Sequence, residues 1–175
     1  MITDLTLVLM AGMPGTGKTT LALAPGRTFG WPVIDKDSLK SPLLTIGVSE
    51  ELAGPASYAL LLEMAYDLLV QQRLSVILDS PGRFPVVLER VRDMTEQVGA
   101  HLKIIRCIAN QELRNQRLTG RIARPSQWTA NADINDEREG RMFEHFPTDI
   151  LMLDTSRPFE QCIAEALAYV RDEDE

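Results

Sequence analysis

The chain has 175 residues, 45% of them hydrophobic and 25% charged, which is typical of a soluble globular protein with one domain and one core. Its formal net charge of −7 disfavours a general nucleic-acid-binding role, because an acidic surface repels phosphate backbones at long range. Two cysteines outside any C-x-x-C or Cys/His cluster argue against disulfides and structural zinc, and without a run of ~20 apolar residues we expect a cytoplasmic protein with no membrane association.

Apolar runs and amphipathic patterns alternate in the first half of the chain. Short continuous apolar runs indicate strands buried on both faces, and 3.6-residue periods indicate the helices that cover them. Glycine and proline mark where elements stop. In chain order we predict a strand over 5–11, a helix over 18–24 stopped by Pro25-Gly26, a strand at 33–34 ended by Asp35, a short helix from a cap at Ser38 to residue 44, a loop over 45–54 and an amphipathic helix over 55–72.

The second half of the chain continues this alternation. We predict a strand over 75–78 ended by Asp79, a helix over 85–98 closed by Gly99, a strand over 102–108, a helix capped by Asn110, a strand over 150–153 and a last helix that begins near 156–158. Five strands, each followed by a helix, predict a three-layer α/β fold with a parallel sheet and helices on both faces. Residues 120–148 have no clear period, and we expect a helical lid or cap over 114–148 within a single domain spanning 1–175.

A glycine-rich segment follows the first predicted strand and fits G-x-x-x-x-G-K-[ST] at every required position. In such loops backbone N–H groups surround phosphate oxygens, and glycine is needed where a side chain would block that approach. The helix after the loop directs the positive end of its dipole at the same phosphates. We predict nucleotide binding by Gly12, Met13, Pro14, Gly15, Thr16, Gly17, Lys18, Thr19 and Thr20.

The same loop predicts a bound magnesium ion. Lys18 supplies a positive charge to the β- and γ-phosphates, and the Thr19 hydroxyl is an expected magnesium ligand. Magnesium usually requires a second acidic group at the end of a nearby strand, and Asp79 ends the third predicted strand. The structural alternative for Asp79 is a loop aspartate that caps the next turn.

Several motifs together resemble a known group of enzymes. The loop GMPGTGKTT, the Asp-Lys-Asp after strand two and the Leu-Asp-Ser-Pro after strand three resemble the small P-loop kinases of the AAA-like group, which include polynucleotide kinase, chloramphenicol phosphotransferase and zeta toxin. The later Arg117-x-x-x-Arg121 also fits their pattern. The resemblance touches most of the chain, and the phosphate loop is its most specific part. It implies the strand order 2-3-1-4-5, ATP as donor with Mg²⁺, and phosphoryl transfer to a hydroxyl.

The resemblance also implies an acceptor site. In these kinases a carboxylate after strand two accepts the hydroxyl proton and a basic residue follows three positions later, a spacing that Asp37 and Lys40 match. Lys40 stands where polynucleotide kinases typically have arginine, which weakens the case for bidentate phosphate binding. Asp35 is the competing base, and a helix cap is the alternative role for Asp37. Arg83, after the third strand, is expected either to hold an anionic group of the acceptor or to be a solvated surface residue.

Four arginines after the fourth strand recur every three or four residues, which predicts one helical face shared by Arg114, Arg117, Arg121 and Arg124. Like charges on one face repel each other unless an anion binds there, and the transferred phosphate is a natural partner. The resembling kinases have lid arginines at the positions of Arg117 and Arg121, so both are catalytic candidates. An exposed charged face on an ordinary amphipathic helix is the alternative.

These patterns favour an ATP-dependent kinase that phosphorylates a hydroxyl of a small molecule or nucleotide. The expected partners are a nucleoside triphosphate and a hydroxyl-bearing acceptor. A polynucleotide 5′-hydroxyl kinase is an alternative that the acidic charge and the missing basic stripe disfavour. A nucleotide-dependent regulatory NTPase is an alternative from another class, although the Asn-Lys-x-Asp motif expected of a guanine-specific switch does not occur in the sequence.

Overall fold

The computed structural model of the protein describes residues 5–127 and 141–171. Five strands form its centre: β1 (Thr6–Ala11), β2 (Val33–Asp35), β3 (Val76–Asp79), β4 (His101–Ile108) and β5 (Leu151–Asp154). They pair in parallel in the order β2-β3-β1-β4-β5, which confirms the predicted α/β fold and its strand order.

Helices cover both faces of this sheet. In the described part of the chain they are α1 (Lys18–Phe29), α2 (Lys36–Thr45), α3 (Glu50–Tyr66), a π-helical turn (Asp67–Gln71), α4 (Pro85–Val98), α5 (Gln111–Thr119) and α6 (Phe159–Arg171). Alternate residues of β1 enter two separate cores, because successive side chains of a strand point to opposite faces. Leu7 and Leu9 pack in the core that contains α3 and α4, whereas Val8 and Met10 pack in the core that contains α1 and α6. All four side chains are fully buried, which explains the continuous apolar run.

The first helix is longer than predicted, because α1 runs through Pro25 and Gly26 and ends at Gly30 in the left-handed conformation. Both interior residues are buried. A Cβ atom added at Gly26 would lie 2.5 Å from Cγ2 of Val33, so glycine allows α1 to pack closely against β2. Tertiary packing therefore outweighs the low helix propensity of the Pro-Gly pair.

The segment between β2 and β3 is also more helical than predicted. The cap of α2 is Asp35, whose carboxylate accepts hydrogen bonds from the Asp37 N–H at 2.9 Å and the Ser38 hydroxyl at 2.8 Å. Ser38 is therefore in the first turn of α2 and does not begin it. The predicted loop over 45–54 is shorter, since α3 begins at Glu50 and includes Pro55 in its interior. Two glutamates in its first turn stabilise that start by interacting with the helix dipole.

Within residues 5–127 and 141–171, no helix combines the length and the apolar character needed to cross a bilayer.

The close packing of Gly26 predicts that alanine at this position destabilises the protein, although alanine has the higher helix propensity. Gly26→Ala should lower the free energy of unfolding by about 1–3 kcal/mol, since the added methyl group overlaps Val33. Gly54→Ala in α3 is the matched control, because an added Cβ there meets no described atom within 4 Å and should raise stability by about 0.5–1 kcal/mol. Urea unfolding of both variants measures the difference. A stabilised Gly26→Ala protein would contradict the close contact of α1 with β2.

Candidate functional site

The segments that follow β1, β2 and β3 meet at the carboxyl edge of the sheet, because these strands are parallel neighbours. A cavity of about 490 Å³ opens between them. The predicted site residues that line it are Met13, Pro14, Gly15, Gly17, Lys18, Thr19, Thr20, Asp35, Asp37, Lys40, Asp79, Arg83, Arg117 and Arg121. Gly12 and Thr16 belong to the same loop, but they are buried behind its surface.

The glycine loop, residues 12–17, has a backbone that only glycine fits at two decisive positions. Gly12 has φ 130°, and a Cβ there would lie 2.3 Å from the Cys107 carbonyl oxygen of β4. Gly15 has φ 81°, and a Cβ there would lie 2.7 Å from the Arg114 carbonyl oxygen of α5. The loop is therefore pressed against β4 and α5, and side chains at these positions would push it away from both.

The Met13 carbonyl oxygen lies at the centre of hydrogen bonds that hold the loop. It accepts from the Thr16 hydroxyl at 2.8 Å and from the Lys18 ammonium at 2.9 Å. Lys18 is thus only partly exposed, and burial of its ammonium group lowers its pKa, an effect that the nearby Asp79 opposes. A cation held in this position increases the attraction of the loop for anions.

Asp79 is almost completely buried at the end of β3, with 3% of its surface exposed. Burial raises the pKa of its carboxyl to about 6, while Lys18 and a hydrogen bond with Thr19 act in the opposite direction. Among the described residues, its Oδ2 atom has no hydrogen-bond partner. A carboxylate oxygen without a partner beside a threonine hydroxyl provides hard oxygen donors, so Asp79 and Thr19 fit a magnesium ion.

The two aspartates near the start of α2 have different surroundings. Asp35 accepts a third hydrogen bond, from Nη1 of Arg124 at 2.6 Å, in addition to the two that cap α2. Asp37 forms an ion pair with Lys36 at 3.1 Å and keeps 30% of its side chain exposed. Asp35 is therefore occupied by structural contacts, whereas Asp37 has a free approach from the cavity. Helix capping was the alternative role predicted for Asp37. In the structure Asp35, and not Asp37, caps α2.

Lys40 and Arg83 also line the cavity, and both are held by neighbouring side chains. Lys40 pairs with Glu50 of α3 at 2.5 Å. The guanidinium of Arg83 lies over the ring of Phe84, 4.9 Å from its centroid. Neither residue is a freely solvated surface cation.

The four arginines do not share one helical face, and that prediction was wrong. α5 ends at Thr119, so Arg121 and Arg124 lie beyond it, in irregular chain. Gly120 follows the helix, and Pro125 disfavours helical dihedrals at the residue before it. Arg114 is on α5 and is 5% exposed.

Arg117 and Arg121 nevertheless reach the cavity together. Arg117 donates to both the Thr155 carbonyl at 2.7 Å and the Thr155 hydroxyl at 2.9 Å, and it approaches the Gly15 carbonyl at 3.4 Å. Arg121 is close enough to Lys18 to lower the pKa of that ammonium group. Both arginines therefore lie close to the glycine loop and the helix start that follows it.

Sequence patterns did not single out a second group of cavity residues. The segment from Arg124 to Gln127 is fastened to α2, where the hydroxyls of Ser126 and Ser41 are 2.8 Å apart and the Ser126 hydroxyl donates to the Asp37 carbonyl at 3.3 Å. We name this segment the latch. Lys36 could have been considered from the sequence, because it lies between two candidate aspartates. Nothing in the sequence indicates that two serines 85 positions apart are in contact. The remaining lining residues are Leu21, Ser80, Pro81, Phe143, Thr155, Arg157, Phe159 and Cys162.

Residues 128–140 of the predicted lid lie outside the described residues, so its full extent is not described.

The raised pKa of Asp79 predicts a dependence of stability on pH. The Asp79 carboxyl has a higher pKa in the folded protein than in the unfolded chain, so its protonation stabilises the fold. This stabilisation is complete below about pH 4 and is lost as the pH rises through about 6. Asp79→Asn should therefore stabilise the ligand-free protein by about 1–3 kcal/mol at pH 7.5 and by much less at pH 4. Unfolding curves at both pH values measure this difference. Asp93→Asn, on the exposed side of α4, controls for the loss of one negative charge, and an equal gain in both variants would contradict the prediction.

Three solved structures share this fold. A candidate kinase from Chloroflexus aurantiacus j-10-fl is 20% identical, over 97% of this chain and 100% of that chain, with a TM-score of 0.72. The APS kinase CysC of Mycobacterium tuberculosis, in complex with AMPPNP and APS, is 16% identical, over 97% and 99%, with a TM-score of 0.64. A gluconokinase from Sinorhizobium meliloti 1021 is 15% identical, over 94% and 91%, with a TM-score of 0.60. At these identities the similarity establishes the fold.

No curated protein matches this chain in sequence. The family profile described as an AAA domain matches residues 7–156, which include the glycine loop, β1 from Leu7, the other four strands and most of the residues that line the cavity. That match spans most of the chain, and its boundaries enclose the sheet whose carboxyl edge carries the site. The chain therefore belongs to this AAA domain family.

Proposed function

We propose that the protein is an ATP-dependent kinase that transfers the γ-phosphate to a hydroxyl of a small molecule or nucleotide. The observation that carries this proposal is one cavity with two chemically different walls. The glycine loop with Lys18 forms one wall, and α2 presents Asp37 on the other. Phosphoryl transfer to a hydroxyl requires a phosphate donor and a proton acceptor that face the same space.

On the donor wall, the backbone N–H groups of the glycine loop and the N-terminus of α1 bind the triphosphate. Lys18 exchanges its bond to the Met13 carbonyl for the β- and γ-phosphates. Thr19 and Asp79 hold Mg²⁺, which when bound neutralises charge on the phosphates. Arg117 and Arg121 stabilise the negative charge that develops on the transferred group.

On the acceptor wall, Asp37 accepts the proton of the attacking hydroxyl. Its side chain lines the cavity, and the ion pair with its neighbour Lys36, at 3.1 Å, orients the carboxylate. Asp35 supports this role indirectly, because it caps α2 through the Asp37 N–H and so fixes the backbone of the base. Asp35 is therefore a positioning residue, and Asp37 is the catalytic residue.

The nucleoside of the donor binds beside the turn after β5. Thr155, Arg157 and Phe159, together with Leu21 of α1, line the cavity. Arg117 connects this turn to the glycine loop, and the Thr155 hydroxyl also donates to the Thr16 carbonyl at 2.8 Å. Those contacts hold the nucleoside end and the phosphate end of the site in a fixed relation.

We further propose that the chain acts as a single cytoplasmic domain whose segment 114–148 forms the lid. The latch supports a small acceptor over a polynucleotide, because it covers the acceptor wall by binding α2. The acidic net charge of −7 also opposes binding of a nucleic-acid strand.

Removal of the loop lysine should weaken ATP binding without unfolding the protein. We expect Lys18→Ala to raise the dissociation constant of MgATP about 10- to 100-fold, as lost charged hydrogen bonds do. Titration calorimetry measures it, and Arg27→Ala, an exposed cation on the same helix, is the control. Unchanged MgATP affinity in Lys18→Ala would contradict the proposed role of Lys18 in binding the triphosphate.

In the same assay, Asp79→Asn should lose more of its affinity for ATP in the presence of magnesium than in the presence of EDTA.

Substitutions of the two aspartates should have different effects in a phosphate-transfer assay. Asp37→Asn should keep its ATP affinity and lose about 10²- to 10⁴-fold in transfer, the usual contribution of a positioned general base. The measurement is transfer of radiolabelled phosphate from ATP to a panel of antibiotics, nucleosides, sugars, sugar nucleotides and 5′-hydroxyl oligonucleotides. If Asp35→Asn has the larger transfer defect, the roles of the two residues are reversed. If the wild-type protein transfers phosphate to no hydroxyl, the kinase proposal is wrong.

A further inference from the structure

We infer that the acceptor is a small acidic compound whose anionic group binds Arg83 and Lys36 beside the base Asp37. This inference rests on the proposed kinase function and deepens it by naming the chemical class of the acceptor. We name the space between Lys36, Asp37, Lys40, Arg83 and Ser126 the acceptor pocket; all five residues line the cavity.

The acceptor pocket contains ion pairs and one further cation. Lys36 and Lys40 pair with the carboxylates of Asp37 and Glu50, at 3.1 and 2.5 Å, so these two pairs carry little net charge. Arg83 adds a positive charge to the same lining, in a protein whose net charge is −7. A cation in a partly enclosed cavity loses hydration, which favours an anionic ligand.

Arg83 is held in the pocket lining by an aromatic contact. Its guanidinium carbon lies 4.9 Å from the Phe84 ring centroid, and Phe84 in turn makes an edge-to-face contact with Tyr58 of α3 at 5.3 Å. This contact restricts the movement of the guanidinium before a ligand arrives. A planar guanidinium suits two parallel hydrogen bonds to a carboxylate or phosphate.

Lys36 and Tyr58 lie next to each other beside the same pocket. Lys36 is 9% exposed, and its ammonium lies 3.1 Å from Asp37 and 5.6 Å from the centroid of the Tyr58 ring. The Tyr58 hydroxyl is enclosed near Arg83 and Asp37, and among the described residues it has no hydrogen-bond partner. An acid bound by Arg83 and Lys36 would bring acceptor oxygens to this polar but incompletely bonded region.

The latch sets the size of the acceptor. The buried hydroxyl pair of Ser126 and Ser41 holds Ser126 in the lining of the pocket, and Arg124 reinforces this contact by its bond to Asp35. One cavity of about 490 Å³ must hold both the nucleotide and the acceptor. Sites of this volume hold ligands of small-molecule size, which leaves room for a compact acid.

The geometry gives a balanced transfer step. The hydroxyl oxygen of the acceptor forms a bond to the γ-phosphorus, and the bond from that phosphorus to the β,γ-bridging oxygen breaks. ADP leaves with the electron pair of the broken bond, and the hydroxyl proton passes to Asp37. Arg83 and Lys36 take no part in bond changes. They hold the acidic group so that the hydroxyl lies between Asp37 and the γ-phosphate.

A binding experiment tests the pocket without knowledge of the natural acceptor. The wild-type protein is saturated with Mg²⁺ and AMPPNP to fill the donor wall, and inorganic sulfate is then titrated in. We expect sulfate to bind, and Arg83→Gln to weaken its affinity about 10- to 100-fold. Arg90→Gln, an exposed arginine on α4 outside the cavity, should leave sulfate affinity unchanged. Absence of sulfate binding, or equal affinity in Arg83→Gln, overturns the inference.

A transfer experiment separates this inference from the kinase proposal. Matched acceptors are compared in pairs, each a hydroxy acid or phosphorylated sugar with its uncharged counterpart, under radiolabelled ATP. Faster transfer to the acidic members, lost in Arg83→Gln, supports the inference. Transfer that favours the neutral members overturns it while the kinase function stands. Failure of the wild-type protein to bind AMPPNP contradicts the kinase function itself.

Discussion

The contact between Gly12 and β4 is the constraint on which the rest of the site depends. The Gly12 N–H donates to the Pro81 carbonyl at 3.2 Å, and its Cα faces the Cys107 carbonyl with no room for a side chain. This contact ties the end of β1 to both neighbouring strands. The Met13 carbonyl is then fixed, and with it the positions of Thr16 and Lys18.

Much of this arrangement was predictable, because local patterns encode it. Continuous apolar runs predict strands that are buried on both faces, and the strand order followed from the resemblance to P-loop kinases. The course of α1 through Pro25-Gly26 was not predictable, because it depends on the close contact of Gly26 with Val33 of β2. The same holds for the latch: Ser41 and Ser126 are ordinary polar residues until the fold brings them to 2.8 Å.

The cavity contains two charged groups, those of Asp79 and Lys18, whose burial is energetically unfavourable. A buried carboxylate with a pKa of about 6 lies beside an ammonium whose pKa burial has lowered, and the two reduce each other's cost. Such a pair adds little to the stability of the ligand-free fold. The sheet with its two apolar cores provides the stability that this pair does not.

The bond between Ser41 and Ser126 has a consequence for the order in which the molecule forms and opens. It closes a chain segment of 85 residues with one hydroxyl pair, so it cannot form before the sheet has brought both ends together. Residues 124–127 are held to α2 by side-chain hydrogen bonds, and a segment held in this way opens with a smaller free energy than the whole domain. Local opening at residues 124–127 would break these bonds while β1, β3 and β4 stay paired.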